Sequence, residues 1–268
     1  MKPRAEVGVF GGSGFYSLFD KAEEVAVKTR YGAPSAKVTI SSMGGRRVAF
    51  LPRHGAKHEF PPHVVPYRAN VSAFKQLGVT RVVAPTAVGS LKAGIRPGEF
   101  VLCDQFVDFT SGRVGTFYDG PETTHVGMAE PYCPEMRRVA VKAAKRLGLR
   151  FHEKGTVVVI QGPRFSTKAE SRFFSGQGWD VINMTQYPEV VLAKEMELCY
   201  LNVSLATDYD AGLEGDPDAK PVSHGEVVRV FNENMERLRA LIAEIVKGLP
   251  EKRGCGCGSA LRHARLSA

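Results

Sequence analysis

The sequence lacks the features that would set it apart from ordinary globular proteins. No apolar run approaches the roughly eighteen residues that span a bilayer, and the opening Met-Lys-Pro-Arg-Ala-Glu has neither an apolar signal region nor a small-residue cleavage site. A cytoplasmic protein with no membrane partner is expected. Tryptophan occurs once, and cysteine five times, at Cys103, Cys133, Cys199, Cys255 and Cys257, an odd number without the paired spacing of a zinc site or a secreted disulfide framework. No repeat or low-complexity linker is present. The formal charge of +8 hints at nucleic acid, but no basic helix or ribonucleoprotein-type aromatic motif accompanies it. No nucleic-acid partner is expected.

What is present points to one large α/β domain. Short β-branched runs at Val7 to Phe10, Val38 to Ile40, Val48 to Leu51, Val82 to Ala87, Phe100 to Cys103, Val157 to Ile160, Val181 to Ile182 and Val203 to Ala206 read as buried strands. Helical patterns lie between several of them, at Pro66 to Leu77, Pro134 to Leu147, Thr167 to Phe174 and Pro188 to Leu198. From Ser223 to Lys247 an apolar stripe through Val227, Phe231, Leu238, Leu241 and Ile245 predicts one long helix, with Ser223 and Glu226 as its capping box. The domain is expected over residues 1–248. Residues 249–268 read as a poorly anchored Gly/Arg-rich tail, in which glycines leave Cys255 and Cys257 exposed, either as a redox pair or incidentally.

Four groups of residues carry candidate chemistry, each with a plainer reading beside it. Gly11-Gly12-Ser13-Gly14 after the first strand offers backbone N–H groups and a hydroxyl to a phosphate, or makes a tight turn. It is neither a dinucleotide fingerprint nor a P-loop. Arg53-His54-Gly55 supplies a guanidinium fork, an imidazole donor and room for close approach, which favours an anion over a solvated turn. Thr86-Ala87-Val88-Gly89 lies at a strand end, where open α/β sheets bind ligands, or simply turns on its glycine. Asp208 and Asp210 alternate in what reads as extended chain. Facing carboxyls raise one pKa and can hold a proton for a heterocycle, bind a metal or cap a helix.

Taken in order, these groups together with Met128-Ala129-Glu130-Pro131-Tyr132-Cys133-Pro134, Gln161-Gly162-Pro163-Arg164-Phe165-Ser166, Val181-Ile182-Asn183-Met184-Thr185 and Pro188-Glu189-Val190 resemble the methylthioadenosine phosphorylase branch of the trimeric purine nucleoside phosphorylases. The resemblance covers about Val7 to Leu241. It implies a single α/β domain with a central mixed sheet flanked by helices, and reversible attack of inorganic phosphate on C1′ of a purine nucleoside. The expected substrate is methylthioadenosine. Broader purine nucleosides (adenosine, inosine, guanosine) or methylthioinosine are the alternative. It implies a homotrimer, with pairing into hexamers left open, and neither metal nor organic cofactor.

Carried over by residue, the resemblance gives phosphate to Ser13, Arg53, His54, Thr86, the backbone of Ala87, and Thr185. It places Asn183 and Met184 with the ribose, Phe165 against the base, and Asp208 and Asp210 at the purine N7 and 6-amino group as the catalytic pair. Ser166 is implied for base specificity, and His125 is expected to reach a neighbouring subunit's 5′ pocket. His224 departs from the pattern: it stands where methylthioadenosine enzymes of this type carry an apolar residue, and resembles the histidine that hydrogen-bonds a 5′-hydroxyl. The Cys255-Gly-Cys257 ending resembles that of some heat-stable archaeal relatives, which implies a redox role.

Overall fold

The apolar runs and amphipathic stretches are realised as one mixed sheet between two helical layers. The computed structural model describes residues 4–212 and 220–265. In chain order the elements are β1 (Val7–Gly11), β2 (Glu23–Val25), β3 (Val38–Met43), β4 (Arg46–Pro52), α1 (Tyr67–Gln76), β5 (Arg81–Ser90), β6 (Phe100–Val101), β7 (Gln105–Phe109), α2 (Pro134–Arg146), β8 (Phe151–His152), β9 (Thr156–Ile160), α3 (Lys168–Gly176), β10 (Val181–Asn183), α4 (Gln186–Glu195), β11 (Cys199–Asp208), α5 (His224–Glu233) and α6 (Met235–Gly248). All eight predicted strands form. Strands β2, β7 and β8 were not foreseen: they are short or half-exposed and carry no apolar run.

The described strands join a single sheet in the order β2-β3-β4-β1-β5-β10-β9-β7, with β11 along the other edge of β5 and β6 and β8 beyond it. Alternating side chains feed two cores. Phe10 joins Val71, Phe74, Val190 and Leu192 under α1 and α4, while Val7 and Val9 join Met136, Phe231, Leu238 and Leu241 under α2, α5 and α6. Each such buried side chain contributes roughly 1.5–3 kcal/mol.

Two expectations are corrected. The long helix is broken at Asn234, which is buried and holds φ −105° and ψ 3°. Its side-chain amide donates to the Val230 carbonyl at 2.9 Å, competing with the helical ladder and leaving Asn234 as the single residue between α5 and α6. Nor is the tail poorly anchored. Leu249, Cys257 and Ala264 are buried, Gly256–Ser259 forms a 3-10 helix, and the Ala264 carbonyl accepts from the His125 amide at 2.7 Å. Cys257 is therefore not exposed, and Cys255 is only partly so. No helix among the described residues is long and apolar enough to cross a membrane.

The course of β5 makes room for a site. Its first half pairs with β1 in parallel, through Val9 opposite Val83. On the same edge its end pairs with β10 in the opposite direction, through Ile182 opposite Gly89. Between those two pairings, Thr86 and Ala87 have no strand neighbour on that edge among the described residues.

Candidate active site

The gap beside β5 opens into a cavity of about 380 Å³, lined by residues from the carboxyl ends of β1, β4, β5 and β11, from the end of β10 and from the start of α5. Ser13, Arg53, His54, Thr86, Ala87, Phe165, Asn183, Met184, Thr185, Asp208, Asp210 and His224 all border it. Ser166 lies just behind, its hydroxyl beside Asp210. His125 does not join them in the single chain: its side chain is exposed and its amide is tied to Ala264.

At one end of the cavity stands Arg53, 1% exposed. Its fork does not face the cavity. Nε and Nη2 donate to the two oxygens of Glu189 at 2.6 and 2.8 Å, and the Tyr200 hydroxyl gives Glu189 a further hydrogen bond at 2.7 Å. The edge left over is Nη1, which donates to the Pro85 carbonyl at 3.3 Å and would lie 3.5 Å from a Cβ on Gly12. Burial opposes the charge, but Glu189 outweighs it and holds the guanidinium above its ordinary pKa. Glu189 is the functional residue missed in the sequence. A buried acid inside the apolar Pro188-Glu189-Val190 run needs a cationic partner, and that was the available signal.

His54 corrects the role of imidazole donor that the sequence suggested. Its Nδ1 faces the Phe60 carbonyl at 2.8 Å, and because a carbonyl only accepts, Nδ1 carries the proton and Nε2 the lone pair. Burial, and next the neighbouring Arg53, depress its pKa to about 3. The ring is neutral and can accept from a phosphate or sugar hydroxyl. His58 stacks on it at 4.8 Å between centroids, and His224 follows at 6.1 Å, so three imidazoles run along one wall. Beside them, Thr86 Oγ1 accepts from the Asn202 amide at 3.0 Å, which leaves its own proton for an anion or for Ser204 at 3.2 Å.

The other end holds the carboxyls. The expectation of an extended Asp208-Tyr209-Asp210 fails, because Asp210 sits at φ 48°, in the left-handed region where Asp is among the few residues tolerated. The two nevertheless converge. A bulge lets Asp208 follow Ala206 opposite Gly89, skipping Thr207 and re-aiming the strand end. A Cβ on Gly89 would lie 2.9 Å from Asp208 Oδ1 and 3.1 Å from Asp210 Cβ, so only glycine fits beneath the pair.

Asp208 accepts from Thr207 Oγ1 at 2.7 Å and from the Asp210 amide at 2.8 Å. Both bonds favour the carboxylate, yet burial dominates and lifts its pKa to about 6. Burial also raises Asp210, against the pull of the Ser171 and Ser166 hydroxyls. Asp210 Oδ2, Ser166 Oγ and both amide atoms of Asn183 are buried without a hydrogen-bond partner of normal geometry. Buried polar groups rarely stay unpaired without a ligand to meet them. Met184 reaches the cavity because Gly162 (φ 61°) leaves space, since a Cβ there would lie 2.6 Å from the Met184 sulfur.

The chain can be compared with known proteins. Residues 6–247 match the Phosphorylase superfamily. The S-methyl-5'-thioadenosine phosphorylase of Thermofilum pendens is 49% identical over 98% of this chain and 99% of its own length. A purine nucleoside phosphorylase of Streptomyces coelicolor is 47% identical over 97% of this chain and 95% of its own. Among solved structures, the methylthioadenosine phosphorylase of Schistosoma mansoni in complex with adenine superposes with a TM-score of 0.91 at 33% identity, covering 97% of this chain and 99% of that one.

Proposed function

The chain belongs to the phosphorylase superfamily, and on that premise we propose that it catalyses the reversible phosphorolysis of S-methyl-5'-thioadenosine to adenine and S-methyl-5-thioribose 1-phosphate. It is a pentosyltransferase of the nucleoside phosphorylase type. The observation that carries this reading is one cavity with Arg53, Thr86 and the Gly12-Ser13 loop at one end and, at the other, the buried Asp208, whose pKa burial lifts to about 6.

The chemistry asks for that pairing. Phosphate attacking C1′ needs positioning and charge compensation more than covalent help, and the purine leaves as a neutral base if N7 gains a proton. In this reading Ser13, Thr86, the Ala87 amide, Thr185 and Arg53 Nη1 hold phosphate, while His54 accepts from it or from the sugar. Met184 and Asn183 meet the ribose, and Phe165 covers the base. Asp208 gives N7 its proton, and Asp210 with Ser166 receives the 6-amino group. The unpaired Asn183 and Asp210 atoms support this allocation. Inorganic phosphate is the co-substrate, and no organic cofactor enters the reaction.

The reading places the enzyme in the cytoplasm as a homotrimer, with residues 1–248 as the catalytic domain and His125 completing a neighbour's 5′ pocket. Exposed aromatics support self-association: Phe109 and Phe173 are 46% and 52% exposed and lie 6.1 Å apart. A second reading, a purine nucleoside phosphorylase of wider range, is favoured by His224, which borders the cavity and offers a partner to a 5′-hydroxyl. The deciding experiment measures free base released from methylthioadenosine, methylthioinosine, adenosine and inosine with and without phosphate. Phosphate-dependent release with the highest kcat/KM on methylthioadenosine is expected. Release without phosphate would mean hydrolysis and overturn the reading.

A further inference from the structure

Four of the five cysteines meet far from the cavity. We propose that Cys133, Cys199, Cys255 and Cys257 form a structural site for a soft, tetrahedral divalent ion of the zinc type, which fastens the C-terminal segment to the domain.

The geometry is that of a closed cluster. All four sulfurs lie within 4.8 Å of one another. A tetrahedral ion with bonds of about 2.3 Å sets its sulfurs about 3.8 Å apart, so this spacing needs little adjustment. Each sulfur faces several others: Cys199 lies 3.3 Å from Cys255 and also contacts Cys133 and Cys257. A set of all-sulfur donors in this arrangement selects zinc-class ions over the hard cations.

The ligands come from three parts of the chain, which is why the linear spacing gave no zinc signature. Cys133 caps the start of α2, and its sulfur accepts from the Met136 amide at 3.5 Å. Cys199 opens β11, and Cys255 and Cys257 arrive on the tail. The hydrogen bond from Met136 and the positive end of α2 favour negative sulfur there. That end of the helix opposes part of the net double negative charge of a tetrathiolate around a divalent ion. Glu135, tied to the Gly254 amide at 2.9 Å, is the neighbouring acid.

Bound to a divalent ion the four sulfurs would act as thiolates, and binding would release their protons. The Gly254 to Gly258 stretch has no large apolar side chain to bury, so cross-linking through its sulfurs gives it an anchorage that packing alone does not.

The test uses the full-length protein purified under a phosphine reductant without chelator. Elemental analysis should find about one zinc per chain. Cobalt(II) added to chelator-stripped protein should give the intense thiolate-to-cobalt charge transfer and the visible bands of a tetrahedral tetrathiolate. Cys257→Ser should abolish those bands, while Cys103→Ser, whose sulfur lies instead beside Ser204 at 3.5 Å, should keep them. A chelator should lower the Tm of the parent protein and not that of Cys257→Ser. Absence of metal after reconstitution of the reduced parent protein would overturn the proposal, as would weak octahedral cobalt bands. So would an intact mass showing that the four thiols are paired as disulfides even under reductant.

Discussion

Arg53 gives both arms of its guanidinium fork to Glu189, at 2.6 and 2.8 Å, in a pair whose side chains are each 1% exposed. The arginine at this end of the cavity is thus held by an acid 136 residues further along the chain, and the cavity presents a fixed guanidinium edge rather than a mobile cation.

Breaking that pair should be costly. Glu189→Ala leaves a buried guanidinium uncompensated and should destabilise the fold by about 3–5 kcal/mol. In urea unfolding the midpoint should fall with the slope unchanged, and in surviving protein KM for phosphate should rise. A stability equal to the parent protein's would show that Arg53 finds compensation elsewhere.

Asp208→Asn removes the proton donor proposed for N7. Turnover on adenine nucleosides should drop far more than on 6-oxopurine nucleosides, for which an amide is the better partner. Steady-state rates on adenosine and inosine measure this, and equal losses on both would remove Asp208 from the role.

The same residue makes stability depend on pH in a defined window. Its pKa rises on folding from 3.8 to about 6, so across that interval the folded state keeps a proton that the unfolded state has lost. Stability from this group is fully present below pH 3.8 and is lost as pH rises through about 6, by about 3 kcal/mol in all. Asp208→Asn should therefore unfold later than the parent protein at pH 7 and match it near pH 4. Denaturant melts at the two pH values give the difference directly.

His224→Val should lower the adenosine-to-methylthioadenosine ratio of kcat/KM by about fivefold, the worth of one hydrogen bond of about 1 kcal/mol. An unchanged ratio would leave His224 as an ordinary residue at the start of α5.

Gly162→Ala should raise KM for the nucleoside. The new methyl would lie 2.6 Å from the Met184 sulfur at φ 61°, and left-handed backbone costs roughly 1–2 kcal/mol without glycine. Initial rates and a thermal melt check both parts.

Much of the cavity lining was legible because its residues sit next to signals a sequence carries. Gly12 and Ser13, Arg53 and His54, and Thr86 and Ala87 each follow or lie within a β-branched run, so strand ends and ligand-facing turns could be placed together. What stayed hidden depends on contacts across the chain. Arg53, followed by His54 and Gly55 at a strand end, reads as a free cation until Glu189 comes alongside it. The proton on His54 Nδ1 is fixed by a carbonyl six residues away in a turn with no sequence period. The bulge at Thr207 and the left-handed turn at Asp210 lie in a stretch that alternates like any strand. Asn234 sits on the same helical stripe as residues that continue the helix. The sulfur cluster joins α2, β11 and the tail, and no local spacing encodes that.

Strand β11 begins at Cys199 and ends at Asp208, with every residue buried and most of its length paired with β5. Ten extended residues span about 30 Å and are stiff along their axis. One end of this ruler, Cys199, stands 3.3 Å from Cys255 of the C-terminal segment and the other, Asp208, lies on the cavity wall, so the tail and the cavity share a single measure.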